Sequence, residues 1–242
     1  MIDISFVVTA HNSELYIEKC LDSILNQEKS SITLELIVID DGSFDNTRNL
    51  LSKYENKARI YFQANTGVEA AANFGIHKAK GRFVCRVDSD DALKSDFLKN
   101  ISHHLQNHNN FYYGNYDLIN YNSKILKTML LPDFSVSEIL ERGDFLATGT
   151  IFPKNLILDC GPYSEDIKNC GLENYELVVK MIIAGVIGVH IDKPLFSYRT
   201  HDQSMSNKKR LEIISYGNDM MMKQAKTKYL TNEFHPHGLR LN

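Results

Sequence analysis

Short apolar runs alternate with segments of helical periodicity over residues 4–91. Residues 4–9 (ISFVVT) and 34–39 (LELIVI) are continuous apolar, β-branched runs, which are typical of strands buried on both faces. Residues 60–63 and 83–87 continue the series. Between these runs the apolar residues recur every three or four positions, as on the buried face of a helix. Two such stripes are Ile17, Cys20, Leu21, Ile24 and Leu25, and Val68, Ala71, Ala72, Gly75, Ile76 and Ala79.

The alternation of strands and helices predicts a mostly parallel sheet with right-handed crossovers and helices on both faces. Ligands of such sheets bind beyond the carboxyl ends of the strands. Three of the predicted strands end in polar clusters, at residues 9–12, 40–43 and 88–91. We therefore expect polar side chains from separate strands to converge on one edge of the sheet.

The second half of the chain has a less regular pattern. Aromatic and β-branched residues predict strands at residues 111–121 and 187–191, with a turn near Asn122 and Ser123. The spacing of apolar residues predicts helices within residues 97–105, 135–141, 171–184 and 208–229. No shift in composition marks a domain boundary, which favours a single domain.

Composition narrows the classes of function. Of the 242 residues, 43% are apolar and 24% are charged, as in ordinary globular proteins, which argues against a disordered chain. The 27 Lys and Arg residues against 30 Asp and Glu give a net charge of −3, which argues against broad binding of nucleic acid. The start of the chain lacks the basic segment of a signal peptide, and the scattered cysteines form no Cys-x-x-Cys pair. We therefore expect a cytoplasmic protein with reduced thiols.

The segment Asp88-Ser89-Asp90-Asp91 is the sharpest local signal. Three carboxylates within four residues repel one another, and hard oxygen ligands of this kind favour Mg²⁺ or Mn²⁺. Acidic surface clusters and helix caps have the same composition, so the segment alone leaves both interpretations open. Its place directly after a predicted buried strand favours a metal site.

Together with the other strand ends, this segment makes the chain resemble the family 2 glycosyltransferases. The resemblance implies an α/β GT-A fold, which is Rossmann-like, with a mixed, mostly parallel central sheet flanked by helices. It also implies one domain over residues 1–242, divided into a nucleotide-binding half (1–93), an acceptor-binding half (94–206) and a C-terminal helix and tail (207–242). The matching segments follow the family order and are residues 5–12, 36–47, 65–67 with 71–75, 81–91, 171–177 and 194–206.

The resemblance implies a nucleotide-sugar donor site formed by the first three motifs. Thr9 and His11 would line the pocket of the nucleobase, with Asn12 beside them, and Asp41 would accept the imide N–H of a uracil-like base. Asn73 in the third motif would also contact the donor. A strand residue at position 9 and a simple turn residue at position 41 are the alternatives that the sequence leaves open.

The resemblance also implies the residues that hold the diphosphate. Asp88 would reach the ribose, and Asp90 would hold the Mn²⁺ or Mg²⁺ ion that bridges the diphosphate. In the stretch Tyr198-Arg199-Thr200-His201, Arg199 would contact the donor and His201 would bind the metal or the diphosphate. A structural or solvated histidine is the alternative for His201.

The catalytic base is where the sequence departs from the family pattern. The family usually has Glu-Asp at the start of a helix near residue 177, whereas this chain has Glu173-Asn174. A neutral asparagine cannot accept a proton at useful pH. We favour Glu173 over Glu176 as the base, with Asn174 orienting the acceptor.

The resulting prediction is an inverting, metal-assisted transferase that moves a hexosyl or N-acetylhexosaminyl group from a UDP-sugar to a glycan or lipid-linked acceptor in surface polysaccharide synthesis. Asn174 motivates an alternative, a catalytically silent nucleotide-sugar-binding protein of the same fold. The basic run at residues 208–210 is either solvated or a peripheral contact with the inner face of a membrane. The oligomeric state stays open.

Overall fold

The structure is a computed structural model that describes residues 2–146, 148–201, 210–233, 235 and 241. The strands in these residues are β1 (Ile4–Ala10), β2 (Leu34–Asp41), β3 (Arg59–Gln63), β4 (Phe83–Asp88), β5 (Ala92–Leu93), β6 (Asn110–Ile119), β7 (Ile125–Met129), β8 (Ile151–Pro153) and β9 (Ile187–Arg199). The α-helices are α1 (Ile17–Leu25), α2 (Thr47–Leu51), α3 (Val68–Lys78), α4 (Phe97–Ile101), α5 (Val136–Arg142), α6 (Lys154–Cys160), α7 (Glu173–Ile183) and α8 (Arg210–Ala225).

One sheet runs through the fold in the order β3-β2-β1-β4-β8-β6-β9-β5, with β7 added to β6. Strands β1 to β4 pair in parallel, as do β6 and β9. Strand β8 is antiparallel to both of its neighbours, β4 and β6, and joins the two parallel groups. The predicted mixed, mostly parallel sheet is confirmed.

The two faces of the sheet carry separate apolar cores. Alternate residues of β1 point to opposite faces, so Phe6 and Val8 pack with α1 and α4, whereas Val7 packs with α3 and α7. The stripe predicted for the first helix is the buried face of α1, where Ile17, Cys20, Leu21 and Ile24 are fully inaccessible. Helices on both faces confirm the layered architecture expected from the alternation of elements.

Strand β9 is longer than the sequence predicts. The sequence predicts a strand at residues 187–191, whereas β9 continues through Pro194, which lacks the N–H that a central strand needs. The pairing of β6 with β9 shifts register on both sides of Asn115, which lies opposite Pro194. This irregularity accommodates the proline, and the strand continues to Arg199, at the edge where the acidic segment lies.

Strands β7 and β8 and helix α6 were not predicted, because β8 is only three residues long and β7 is mostly exposed and lacks strict alternation. The final helix ends at Ala225 rather than near residue 229, because Lys226 takes a left-handed backbone conformation with φ of 56°. Residues 208 and 209 lie outside the described residues. Within the described part of the chain, no helix is both long and apolar enough to span a bilayer.

Candidate active site at the carboxyl ends of the strands

Register places the ends of three strands side by side. Thr9 in β1 lies between Ile39 in β2 and Asp88 in β4. The loops that follow are tied together, because the Asn12 N–H donates to the hydroxyl of Ser43 at 2.9 Å. The polar clusters predicted to converge on one edge of the sheet do so.

Each carboxylate of the acidic segment, residues 88–91, has a different partner. The Thr148 hydroxyl donates to Asp88 at 2.8 Å, and the Asp90 carboxylate lies 2.9 Å from Nε2 of His201. Asp91 is buried and accepts the Arg199 backbone N–H at 2.8 Å through Oδ1, but its Oδ2 has no hydrogen-bond partner among the described residues. Burial, followed by the negative charges of Asp90 and Asp88, raises the pKa of Asp91 well above its usual value.

Arg199 forms hydrogen bonds with the acidic segment through both its backbone and its side chain. Its side chain is almost completely buried, its Nε donates to the Asp90 carbonyl at 2.7 Å, and its guanidinium lies over the ring of Tyr16 at 4.4 Å. Its Nη1 donates to the Asn120 carbonyl and to the Ser123 hydroxyl, both at 3.0 Å. The predicted contact of Arg199 with the nucleotide-sugar donor stays a prediction. The contacts observed for Arg199 fix the backbone of the acidic segment at Asp90.

The side chain of His201 contacts the acidic segment directly. Its ring lies beside Tyr16, with 5.8 Å between the ring centroids, and its Nε2 contacts the same Asp90 carboxylate that was predicted to bind the metal. The structure therefore brings together the two predicted metal ligands, although β4 and the end of β9 are more than 100 residues apart in the chain.

Asp41 is saturated by donors of the loop that follows β3. Its carboxylate accepts the backbone N–H groups of Thr66 and Gly67, each at 2.8 Å, and the Gln63 amide at 2.9 Å. The Thr66 hydroxyl adds a fourth hydrogen bond at 3.1 Å. A carboxylate offers about four lone-pair positions, so the imide of a base would have to replace one of these donors. The base contact of Asp41 stays a prediction.

His11 lies exposed at the same edge and contacts one aromatic ring that the sequence did not single out. Its Nδ1 lies 2.8 Å from the Asp41 carbonyl, to which it donates, and its ring meets Phe44 edge to face at 5.9 Å. The Phe44 side chain is 85% exposed. Exposed rings of this kind provide stacking surfaces for a nucleobase. Its position directly after Gly42-Ser43 was the sequence signal that could have identified Phe44.

Arg86 links the acidic segment to the predicted base, and the sequence analysis missed it. This buried arginine forms ion pairs with Asp88 at 2.9 Å and with Glu173 at 3.0 Å. Its guanidinium also lies over the ring of Tyr163 at 5.9 Å. The available signal was a single cation within the otherwise apolar strand FVCRVD, since a buried charge requires a partner.

Glu173 and Glu176 point to different parts of the molecule. Glu173 is buried at the start of α7 beside Arg86, and its Oε2 has no hydrogen-bond partner among the described residues. Glu176 lies one turn later and accepts the Tyr216 hydroxyl at 2.8 Å, on the side of α8. Burial raises the pKa of Glu173, while the charge of Arg86 lowers it in part. The choice of Glu173 over Glu176 is compatible with these positions and stays a prediction.

Asn73 and Asn174 belong to one buried network centred on Tyr163. The Asn73 amide donates to the Tyr163 carbonyl at 2.8 Å and accepts its backbone N–H at 3.1 Å. The Tyr163 hydroxyl donates to Asn174 Oδ1 at 2.9 Å. Asn73 thus anchors the loop that places Tyr163 against both Asn174 and Arg86. The donor contact predicted for Asn73 stays untested.

Two further acids surround Arg86. Glu69 accepts the backbone N–H groups of Asn169 at 2.8 Å and of Cys170 at 2.7 Å. Burial, followed by the charge of Glu173, raises the pKa of Asp144 well above its usual value. Among the described residues, Glu69, Cys170 and Glu173 hold ligand atoms within 4.8 Å of one another, a spacing compatible with an ion. Both Glu69 oxygens already accept amides, and Arg86 lies beside Glu173, so this cluster fits an ion less well than the more accessible pair of Asp90 and His201. The metal site predicted at that pair stays a prediction.

A comparison with known families decides the class. The model of the family described as Glycosyl transferase family 2 matches residues 5–162. The chain belongs to glycosyl transferase family 2. The family match contains the acidic segment and Arg86 but ends before α7, so it covers neither Glu173 nor His201.

Curated relatives are longer than this family 2 chain. Glycosyltransferase GlyG of Streptococcus pneumoniae is 32% identical over 164 residues, which cover 62% of this chain and 53% of GlyG. The chondroitin synthase of Pasteurella multocida is 38% identical over 99 residues, which cover 40% of this chain and 10% of that synthase. The chain therefore matches only part of each of these relatives.

Solved structures share the fold. Staphylococcus aureus TarS residues 1–349, solved in complex with UDP-GlcNAc, superposes with a TM-score of 0.73 at 21% identity, covering 93% of this chain and 68% of that one. The mannosyltransferase PcManGT of Pyrobaculum calidifontis, in complex with GDP-Man and Mn²⁺, gives 0.69 at 18% identity, covering 97% and 67%. The GT-A fold predicted from the resemblance is confirmed.

Proposed function

We propose that this family 2 glycosyltransferase moves a hexosyl or N-acetylhexosaminyl group from a UDP-sugar to a hydroxyl of a glycan or lipid-linked acceptor. The reaction inverts the anomeric centre, requires a divalent metal and serves surface polysaccharide synthesis at the cytoplasmic face of a membrane. The observation that carries the proposal is the acidic segment at the sheet edge, with Arg86 joining it to Glu173. The UDP-GlcNAc complex of TarS and the relationship to a chondroitin synthase support the donor and product classes.

The residues present fit a divalent cation. Asp90 offers an accessible carboxylate beside the imidazole of His201, and the buried Asp91 carries an oxygen without a hydrogen-bond partner among the described residues. Carboxylate and imidazole are ligands that suit Mn²⁺, and the Mn²⁺ complex of PcManGT supports the same choice. An ion held by Asp90 and His201 would stabilise the negative charge of the departing diphosphate.

Glu173 is the proposed general base. Its carboxylate would take the proton of the acceptor hydroxyl. Oε1 is paired with Arg86, and Oε2 is buried without a hydrogen-bond partner among the described residues, so the acceptor must enter this buried position to reach it. Arg86 favours the ionised carboxylate at a buried position, where an unpaired carboxyl group would stay protonated. In the same proposal, Asn174 orients the acceptor, and its Oδ1 is held by the Tyr163 hydroxyl.

The exposed rings of His11 and Phe44 are the proposed platform for the uracil base. They lie at the end of β1 and in the turn after β2, next to the carbonyl of Asp41. Thr9 and Asn12 border this platform, and the Asn12 side chain accepts the Phe44 N–H at 3.0 Å, which fixes the turn. The ribose would then extend toward Asp88, one strand away from Thr9.

A panel of UDP- and GDP-sugars tests the donor by thermal shift, with and without Mn²⁺. A ligand that binds only the folded protein raises the melting temperature, and we expect UDP-sugars to do so in the presence of Mn²⁺. Release of UDP in the presence of acceptor glycans then tests turnover. Stabilisation by GDP-sugars alone would contradict the UDP assignment, and stabilisation by no nucleotide sugar would contradict the donor site.

The alternative of a catalytically silent binding protein makes a different prediction for Asn174→Asp. If Glu173 is the base, a second carboxylate beside it does not raise turnover, and we expect a rate no higher than that of the wild type. A gain of tenfold or more, about 1.4 kcal/mol in activation free energy, would identify the present chain as impaired at its base position. Tyr163→Phe is the matched control, because it removes the partner of Asn174 without adding charge.

A further inference from the structure

The segment that contains β7 and the turn before it exposes several apolar side chains to solvent. We define the β7 hairpin as residues 120–131. Its residues Tyr121, Ile125, Leu126 and Leu130 are between 53% and 72% exposed. Neighbouring residues of a strand point to opposite faces, so the exposure of both Ile125 and Leu126 means that neither face of β7 is covered at this point. Leu126 and Leu130, four positions apart, share one face of this segment, and exposed apolar residues grouped in this way indicate an interaction surface.

The charge of the β7 hairpin selects among the possible partners. It contains the exposed lysines Lys124 and Lys127 and no acidic residue. Of the acids that flank it, Asp117 pairs with Lys94 at 2.6 Å, whereas Asp133 is fully exposed beside His190. Lysines on an edge strand disfavour pairing with a strand of another chain. A tyrosine, aliphatic side chains and lysines together are the composition that binds the interface of an anionic bilayer.

The β7 hairpin is connected directly to the acidic segment. Arg199 donates through Nη1 to the Asn120 carbonyl and the Ser123 hydroxyl, and through Nε to the Asp90 carbonyl. One buried guanidinium therefore holds the turn between β6 and β7 and the proposed metal site in a fixed relation. A surface that binds the hairpin would also fix the orientation of the acidic segment.

We propose that the β7 hairpin docks on an anionic lipid bilayer. Ile125, Leu126 and Leu130 enter the boundary between headgroups and acyl chains, and Lys124 and Lys127 contact lipid phosphates. This docking places the acidic segment near the membrane surface. It does not depend on the proposed transfer reaction, because the contact involves only the hairpin and the lipid.

Co-sedimentation of the full chain with vesicles tests this proposal. One set of vesicles contains phosphatidylcholine alone, and the other contains phosphatidylcholine mixed with phosphatidylglycerol. We expect binding to the mixed vesicles and little binding to the neutral ones. Lys124→Gln with Lys127→Gln should weaken binding about fivefold for each lysine removed. Leu126→Ser with Leu130→Ser should weaken it at least about tenfold.

Ile187→Ser is the matched control for the apolar substitutions. Ile187 is 55% exposed, as Ile125 and Leu126 are at 53%, but it lies at the opposite end of the same sheet, opposite Asn110. This variant should bind vesicles as the wild type does. The chain has 12 tyrosines and no tryptophan, so Tyr121→Trp introduces a unique reporter. A blue shift of its fluorescence on mixed vesicles, absent when the leucine substitutions are added, would give direct support for insertion.

Three results would overturn the proposal. The first is equal binding by the wild type and both hairpin variants. The second is loss of vesicle binding when residues 208–210 are neutralised while the hairpin variants still bind. The third is a dimer in solution that Leu130→Ser dissociates without changing vesicle binding. Donor binding is measured separately by thermal shift, so failure of the docking proposal leaves the test of the transfer reaction intact.

Discussion

Two acidic clusters lie at the same edge of the sheet in different environments, a pair at the end of β2 and the three carboxylates of the acidic segment. Asp40 and Asp41 end β2, where Asp40 accepts Nε of Arg48 at 2.6 Å and Asp41 accepts four hydrogen bonds. The acidic segment after β4 has fewer donors and one buried carboxylate oxygen, Asp91 Oδ2, without a hydrogen-bond partner among the described residues. The protein itself supplies the donors that Asp40 and Asp41 need, whereas the acidic segment is suited to a bound cation.

The difference between the clusters comes from where their partners lie in the chain. The donors of Asp40 and Asp41 lie within 26 residues of them in the chain, such as Arg48 and Gly67. Asp88 in the acidic segment pairs with Arg86 of the same strand and accepts the Thr148 hydroxyl. The partners of Asp90 and Asp91, Arg199 and His201, lie more than 100 residues away and contact the segment through its backbone and single carboxylate oxygens. The carboxylates of Asp40 and Asp41 are therefore satisfied by residues close to them in the chain. The acidic segment keeps a carboxylate oxygen without a donor at the edge of the sheet.

The largest effect is expected for Asp90→Ala, which removes a proposed metal ligand. Loss of charge stabilisation on the diphosphate should lower turnover about a thousandfold. The melting temperature should change little, because the carboxylate is one-third exposed and is repelled by its neighbours. UDP release and thermal melting measure the two effects. A stable variant that keeps full turnover would contradict the contrast between the acidic clusters.

The second effect concerns the base. Glu173→Gln keeps the size of the side chain but removes its ability to accept a proton, so turnover should fall about a hundredfold or more. Glu176→Gln is the control on the same helix, because its partner Tyr216 can donate to the amide oxygen as well. This variant also loses the ion pair with Lys180 at 3.2 Å, so its melting temperature is measured beside its turnover. Equal losses in both variants would show that α7 responds to substitution in general rather than through Glu173.

The third effect is a change in pH dependence. Arg86→Gln removes the charge that lowers the pKa of Glu173, so that pKa rises further. Glu173 is proposed to act as the carboxylate, and activity therefore falls as pH drops through its pKa. The acid limb of the kcat/KM profile should move to higher pH in the variant. Loss of the buried pairs should also destabilise the fold by about 3 kcal/mol.

A profile that shifts to lower pH, or stays in place while turnover is measurable, would contradict the pairing of Arg86 with the base. Arg82→Gln is the matched control in the neighbouring turn, because Arg82 pairs with Asp3 at the opposite end of β1. Its pH profile should match that of the wild type.

The smallest effect is expected on the saturated side of the comparison. Asp41→Asn replaces a carboxylate that accepts the Gly67 N–H with a side chain that can turn a donor toward it. We expect a loss of about 2 kcal/mol in the free energy of unfolding. Chemical denaturation measures it. A variant of unchanged stability with weakened UDP binding would instead support the base contact predicted for Asp41.

Much of the fold of residues 4–91 could be predicted from periodicity, since the buried strands β1, β2 and β4 and the helices between them each leave a local pattern. Convergence of the strand ends followed from parallel order alone. The connections made by Arg86 and Asn73 could not be predicted, because their partners Glu173 and Tyr163 lie about 90 residues away and carry no local signal. The continuation of β9 through Pro194 could not be predicted, because a proline interrupts a strand only where the pairing with its neighbour is regular. The register shift at Asn115, opposite Pro194, removes that constraint.

The central claim is that the acidic segment binds UDP through a divalent cation. Calorimetric titration of UDP into the wild type and Asp90→Ala, each with and without Mn²⁺, tests it most directly. Mn²⁺ should tighten UDP binding to the wild type and should have no such effect on Asp90→Ala. Equal UDP affinity in the presence and absence of Mn²⁺ for the wild type would contradict it.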